Sequence, residues 1–416
     1  MTGSGRVAVA LGVLLYVAAW AFGSRPLYPV AVGLLLANPI AWACVRLADR
    51  PLGLHRKARK HDHVEGDDVE VEVEVEAQPR LPTASVVLVE TIEKIGRRVT
   101  PLETGARGRR RARYILRALP RGRYRFPEAR AVLEDPFGLQ RAEVDLPGSS
   151  ALVVFPRVVP LEYLFSDGGP GAQQGRRLLL RRPIGYDVHG VREYEQGESL
   201  RRVHWPTTAR RGQLMVKELE DAPRDEVAVV LDAQARVRAD GAPDRSFDLQ
   251  VRAAASLLHA HARRGRRAVL LVNGASLDVV RVRSLDGDWR AALETLAAAE
   301  PSGTRTAASL LADDAGPAAR ARELVLVTAT PSAALVDRLL QRAVARTSVS
   351  VVYVDAASFE GTRADGTLPR DAPLLLRLQS VGIPLAVLRR GDDLAAILGA
   401  PRSSANGSRK AEAMPS

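Results

Sequence analysis

The chain has 416 residues, 46% hydrophobic and 26% charged, enough for two or three domains with cores of their own and too apolar for wholesale disorder. Its net charge of +12 points first to nucleic acid, but five of the basic residues are lysine and the rest arginine. Beside abundant Ala, Val and Gly, that is the mark of a GC-rich coding bias, and the charge is discounted as a signal for a nucleic-acid partner. The one cysteine, Cys44, lies inside an apolar run, which excludes a disulfide framework and a thiol-based metal site.

Residues 7–23 and 27–45 are two uncharged apolar runs separated by Ser24, Arg25 and Pro26. As helices they reach roughly 25 and 28 Å, close to the ~30 Å of a bilayer's hydrocarbon core. Trp20, Tyr28 and Trp42 lie near their ends, where aromatic belts sit. A second apolar run following at once argues against a cleaved signal peptide. Arg46, Arg50, Arg56, Lys57, Arg59 and Lys60 follow, with Asp49 among them. Residues 1–60 are therefore expected to be a transmembrane helical hairpin and a basic juxtamembrane segment of a multi-pass plasma (inner) membrane protein. The positive-inside rule puts its soluble domains in the cytoplasm.

From Val69 the period falls to two: Val69, Val71, Val73 and Val75 alternate with Glu70, Glu72, Glu74 and Glu76. Strand candidates follow at 85–90, 113–118, 124–126, 129–134, 140–145 and 151–155. With the turn residues between them, they predict a small β-sandwich over 64–160. The arginine-rich run 105–113 reads as an exposed loop, or as an anion- or phospholipid-facing patch. Residues 161–184, containing SDGGPGAQQG, read as a linker.

Beyond Asp221 apolar strands alternate with amphipathic helices. Strands are expected at 227–231, 268–273, 324–328, 348–354 and 383–388. Helices are expected at 247–264, 288–299, 333–345, 374–381 and 392–398. The pattern implies a Rossmann-type parallel sheet covered on both faces over 222–400, with ligands at the carboxyl ends of its strands. Residues 401–416 read as a disordered tail.

Chemistry is sparse. No GxxxxGK[ST], HExxH or GxSxG motif occurs. His259 and His261, two apart on a helix, face different ways. Asp232 ends the first α/β strand, but Ala233, Ala235 and Arg236 offer a dication nothing, leaving Thr304 or Thr306 as the one hydroxyl source. The densest stretch is 185–221, where Arg192, Arg201, Arg202, Arg210 and Arg211 lie among Glu193, Glu195, Glu198, Glu218 and Glu220, with Tyr194 and Trp205 between them. Ion pairs, cation–π stacks or a docking surface are the expected uses. A hydrolase built on Glu198 and His204 is one alternative, and arginine-mediated binding of nucleic acid or anionic lipid a second.

Arg192-x-Tyr194-x-x-Gly197-Glu198-x-x-Arg201-x-Val203-x-Trp205, followed by Thr208-Ala209-Arg210, resembles the signature of the domain of unknown function 58 family. Glu198 stands where that family usually carries Asp. Arg121-Gly-Arg-Tyr124, Asp135-Pro-Phe-Gly-Leu139 and Val154-Phe-Pro-Arg157 extend the likeness. The resemblance implies a membrane-anchored adaptor or chaperone-like protein with a von Willebrand factor A-like α/β domain, and the absence of a catalytic constellation leads us to expect a non-enzymatic interaction module without a cofactor. It also implies a MoxR-type AAA+ ATPase as partner, and often a transglutaminase-like membrane protein. In that domain type an Asp-x-Ser-x-Ser segment binds Mg²⁺; here Asp232-Ala-Gln-Ala-Arg236 has lost both serines, so the expected metal site is degenerate. The expected interaction residues are Arg192, Tyr194, Gly197, Glu198, Arg201, Trp205, Ala209 and Arg210, at the junction between the β and α/β domains, with Trp205 filling a seam.

Overall fold

The computed structural model describes residues 1–48, 51–58, 62–77, 85–104, 109–168, 188–194, 203–219, 227–235, 245–345, 347–359, 369 and 371–399. They fall into two compact units, 1–155 and 156–416.

The first unit begins with α1 (Gly3–Phe22) and α2 (Leu27–Leu47), both long and apolar enough to cross a membrane. Thr2 caps α1 by accepting the Gly5 N–H at 3.1 Å, and Gly23, left-handed at φ 62°, ends it. Tyr16 and Tyr28 meet edge to face at 5.5 Å between ring centres. Most of the hairpin's large apolar side chains stay exposed, as a lipid-facing surface would.

Ten strands follow: β1 (Pro51–Ala58), β2 (His63–Val64), β3 (Val69–Ala77), β4 (Ser85–Ile92), β5 (Gly96–Thr104), β6 (Arg109–Leu116), β7 (Gly122–Phe126), β8 (Ala129–Glu134), β9 (Arg141–Leu146) and β10 (Ser150–Phe155). Seven make an antiparallel sheet in the order β1-β3-β6-β5-β4-β8-β9, and β2-β10-β7 form a second sheet. The edges β1 and β9 touch, bending the large sheet toward a half-barrel. Val69, Val71, Val73 and Val75 enter one core with Leu88, Leu133, Phe126 and Val154. Two expectations change. Residues 51–58, read as juxtamembrane, are an edge strand. Residues 109–113, read as loop, belong to β6, where Arg109 and Arg111 pair with Glu74, and Arg113 with Glu70 and Glu72. Those three arginines are thus engaged within the sheet, on its wet face.

In the second unit, β11 (Val188–Glu193), α3 (Trp205–Arg211) and β12 (Met215–Leu219) form a hairpin with an inserted helix. The α/β part runs β13 (Val227–Leu231), α4 (Arg245–Arg263), β14 (Ala268–Asn273), β15 (Leu277–Val282), α5 (Trp289–Ala298), α6 (Ala307–Leu311), α7 (Pro317–Arg320), β16 (Glu323–Thr328), α8 (Ala333–Val344), β17 (Ser348–Val354), α9 (Ala372–Ser380), β18 (Leu385–Leu388) and α10 (Leu394–Leu398). The sheet order is β15-β14-β13-β16-β17-β18. Five strands are parallel, and β15 is an antiparallel edge reached by the turn after Asn273. The sheet is therefore mixed where an all-parallel one was expected. One core packs α4, α5 and α10 on one face of the sheet, and another packs α6–α9 on the other. The start of the expected linker, 161–184, is also corrected: Leu161, Leu164 and Phe165 are at most 4% exposed and sit in the first of these cores. The tail 401–416 lies outside the described residues.

Candidate functional site

Two groups of residues stand out, and the first lies at the carboxyl ends of the strands. Leu231 pairs with Val272 on one side and Val327 on the other, so the residues that follow reach one level together. Asp232, 4% exposed, accepts the Asn273 amide on Oδ1 at 3.0 Å. Its Oδ2 accepts the hydroxyls of Thr328 and Thr330 at 2.7 and 2.9 Å. Asn273 also donates to the Arg305 carbonyl at 3.0 Å and accepts the Ala233 N–H at 2.6 Å. The segment around Gly303 closes over the site: its N–H donates to the Ala233 carbonyl and its carbonyl accepts the Ala235 N–H, both at 2.8 Å. A Cβ at Gly303 would fall 2.0 Å from the Asn273 carbonyl oxygen, so glycine alone fits there. Asp355, at the end of β17, is buried too, with the Arg389 guanidinium 3.9 Å away.

A hard dication asks for about six oxygen ligands. The two Asp232 oxygens already serve four protein donors, the Gln234 N–H at 3.4 Å being the fourth, and Thr306 caps α6 by accepting the Ser309 N–H at 3.1 Å. Among the described residues no group of three or more His, Cys, Asp or Glu could hold an ion. This donor set suits a closed hydrogen-bonded knot better than a cation site. Asn273, Thr328 and Thr330 were not predicted as partners of Asp232, although each lies at or just past the end of an apolar strand.

At the opposite end of the same strands His261 is fully buried. Burial, reinforced by Arg266 and Arg264, pulls its pKa down to about 3. Glu323, paired with Arg266, is pushed above its ordinary range by burial. His259 instead lies against the Trp289 ring at 5.2 Å between centres, so the two histidines do face different surroundings.

The second group is the signature hairpin. Arg192 on β11 pairs through its backbone with Val216 on β12, and the Tyr194 N–H donates to the Leu214 carbonyl at 2.9 Å. On the other side Val203 bridges to Val216, and the His204 N–H donates to Met215 at 2.7 Å. Buried Val203, Met215 and Val216 anchor this turn of chain. His204 caps α3: its Nδ1 accepts the Thr207 N–H at 3.3 Å and lies 2.7 Å from the Thr207 hydroxyl. Thr208, at the middle of α3, ties the helix to β12 by accepting the Met215 N–H at 3.0 Å. The result is a braced helix whose signature side chains point outward. Trp205 is 64% exposed, in contrast to the expected seam-filling role, and Ala209, Arg210 and Arg211 are exposed on the same helix. Gly197, Glu198 and Arg201 lie outside the described residues.

Residues 190–377 match the family model described as "Protein of unknown function DUF58". The "Uncharacterized protein YeaD" of Bacillus subtilis (strain 168) is 25% identical over 216 residues, 52% of this chain and 52% of that protein. The matched region thus spans about half the length of this curated relative. Among solved structures, a cycloalternan-forming enzyme from Listeria monocytogenes aligns at 13% identity and a TM-score of 0.18, over 34% of this chain and 10% of that one. The alkylpurine DNA glycosylase AlkC of Pseudomonas fluorescens aligns at 15% and 0.15, over 30% and 39%. Alignments this poor carry no likeness of fold or function. The family match spans the signature hairpin and the sheet from β13 to β17, so the chain carries a DUF58 region over residues 190–377.

Proposed function

We propose that this protein is a membrane-anchored docking module and that α3 of the signature hairpin is its docking element. The observation that carries the reading is the presentation of Trp205, 64% exposed, on the same short helix as exposed Arg210 and Arg211, a helix held at its start by His204 and at its middle by Thr208. Trp and Arg dominate the energetics of protein interfaces, and a braced helix loses little entropy on binding. An exposed tryptophan held in place is costly for solubility unless something covers it.

In this reading α1 and α2 span the plasma membrane, and the positive charge at and beyond the end of α2, from Arg46 on, keeps the β sheets of the first unit and the whole second unit in the cytoplasm. The α/β part is taken as von Willebrand factor A-like, which its strand order and strand-end aspartate favour, with Asp232 serving the fold rather than a metal. The partner implied by the family resemblance is a MoxR-type AAA+ ATPase. The enzymatic alternative loses support because the His204 ring is committed to capping α3.

Tagged full-length protein, solubilised from membranes, is expected to co-purify with such an ATPase. Trp205→Ala should weaken the complex by about 30-fold, or roughly 2 kcal/mol, without moving the melting temperature. Reproducible absence of the ATPase, or equal recovery with Trp205→Ala, would refute the reading.

A further inference from the structure

The turn joining β8 to β9 meets the open end of the helical hairpin. Asp135 shapes this turn, its Oδ1 accepting the Phe137 N–H at 2.8 Å and its Oδ2 accepting the Gln140 N–H. Gly138, at φ +67°, reverses the chain. The Thr2 N–H donates to the Leu139 carbonyl at 3.0 Å, and the Thr2 hydroxyl lies 2.7 Å from the Gly138 carbonyl. The Gln140 amide donates to Asn38 Oδ1 at 2.7 Å, and Asn38 donates onward to the Gly5 carbonyl at 2.8 Å. Asn38 is thus a polar residue inside an apolar helix, 6% exposed, with its oxygen and nitrogen both served. A Cβ on Gly5 would fall 2.4 Å from the Leu139 carbonyl oxygen, so turn and helix backbones are in direct contact.

All these bonds fix the height of the turn relative to α1 and α2, yet its tip points away from protein: Phe137 is 71% exposed. The exposed apolar surface continues along α2 past Asn38, where Ile40, Trp42 and Leu47 are 53%, 52% and 54% exposed and the Arg46 guanidinium stacks 5.0 Å over Trp42. A tryptophan under an arginine at a helix end belongs at the headgroup level of a bilayer. A phenylalanine held at that end by a rigid turn meets the same layer.

We propose that Phe137 is an interfacial membrane anchor, inserted at the headgroup–acyl boundary of the bilayer that the hairpin crosses. The β unit is then held to the membrane at a second point, and its sheet has a fixed orientation to the surface rather than hanging from a flexible tether. Burying the ring in the interface recovers apolar area that the fold leaves exposed. The inference rests on the hairpin spanning the bilayer, as proposed above, and on the contact between the turn and α1, α2.

The test uses full-length protein in nanodiscs of phosphatidylethanolamine and phosphatidylglycerol. A Cys44→Ser background carries a single new cysteine bearing an environment-sensitive fluorophore. Phe137→Cys is compared with Ile95→Cys, at the other end of the antiparallel β4–β8 pair, and with Leu14→Cys, exposed in mid-α1. Shallow nitroxide lipids should quench the probe at 137 about threefold more than at 95, with 14 quenched best by deep nitroxides. Failure at 14 would sink the spanning hairpin itself. Quenching at 14 with 137 no different from 95 would overturn the anchor alone, whether 137 is open to aqueous iodide or shielded by another protein. Because a fluorophore can disturb a turn, the unlabelled Phe137→Cys thiol gives a second reading: a charged maleimide should modify it more slowly in nanodiscs than in detergent, and equal rates would also overturn the proposal.

Discussion

Asp232 sits at 4% exposure among four donors, Asn273 and the Gln234 N–H on one oxygen and Thr328 and Thr330 on the other. Replacing one carboxylate oxygen by an amide presents a donor to donors, so Asp232→Asn should cost about 2–3 kcal/mol. Thr330→Val, which removes one hydroxyl, should cost about 1 kcal/mol. Thermal melting of the full-length protein in detergent, with and without Mg²⁺, measures both. The cost should not depend on the metal if the knot serves the fold. His261 makes a pH prediction. Its pKa of about 3 in the fold lies below its ordinary 6.5, so the unfolded chain takes up the proton first as pH falls. Its contribution is complete above about pH 6.5 and is lost below, at up to about 1.4 kcal/mol per pH unit. Glu323, raised by burial above its ordinary 4.5, acts in the opposite sense just above that value and flattens the acid end of the slope. Denaturation midpoints between pH 4 and pH 7 should therefore fall toward acid in the wild type and fall less in His261→Gln; identical slopes would contradict the assignment.

Elements were legible where burial followed chemistry. Val69–Ala77 alternates dry and wet residues strictly and is a strand as read, and the runs 227–231 and 348–354 announced strands buried on both faces. Two of the misreadings share a cause: arginines that point inward. Arg56 on β1 is buried against Glu90 at 2.7 Å with its guanidinium over Phe126, and Tyr114 donates to the same carboxylate at 2.8 Å. Arg110 on β6 is 2% exposed. Each occupies a core position that a polarity pattern assigns to solvent, which hid β1 and the start of β6. In β5, Leu102 faces the core while Val99 is 59% exposed, so no alternation marks it. The site was half legible. Asp232 stood out at a strand end, but its partners come from strands 41 and 96 residues away in sequence, and only the parallel register brings them together. In the signature, the residues were recognisable but their exposure was not, because a capped helix can turn Trp205 either way. His204→Ala should cost about 1 kcal/mol through loss of the cap, and His204→Asn should restore it. Hydrogen exchange of α3 amides reads this directly, and unchanged protection in His204→Ala would speak against the cap.

At the scale of the whole molecule, the chain joins two apolar helices, a half-barrel sheet in contact with them and a mixed α/β sheet that carries the signature hairpin. The polar knot at the strand ends is satisfied internally, while Trp205, Ala209 and Arg210 of the signature are exposed. That division of labour is the basis for reading the protein as a docking module. It is tested most directly by a photocrosslinking amino acid placed at position 205 of the full-length protein in cells, with position 344, where Val344 is 80% exposed on α8, as control. The account predicts an adduct to an AAA+ ATPase from position 205 and none from position 344. No adduct from position 205, or equal adducts from both positions, would contradict it.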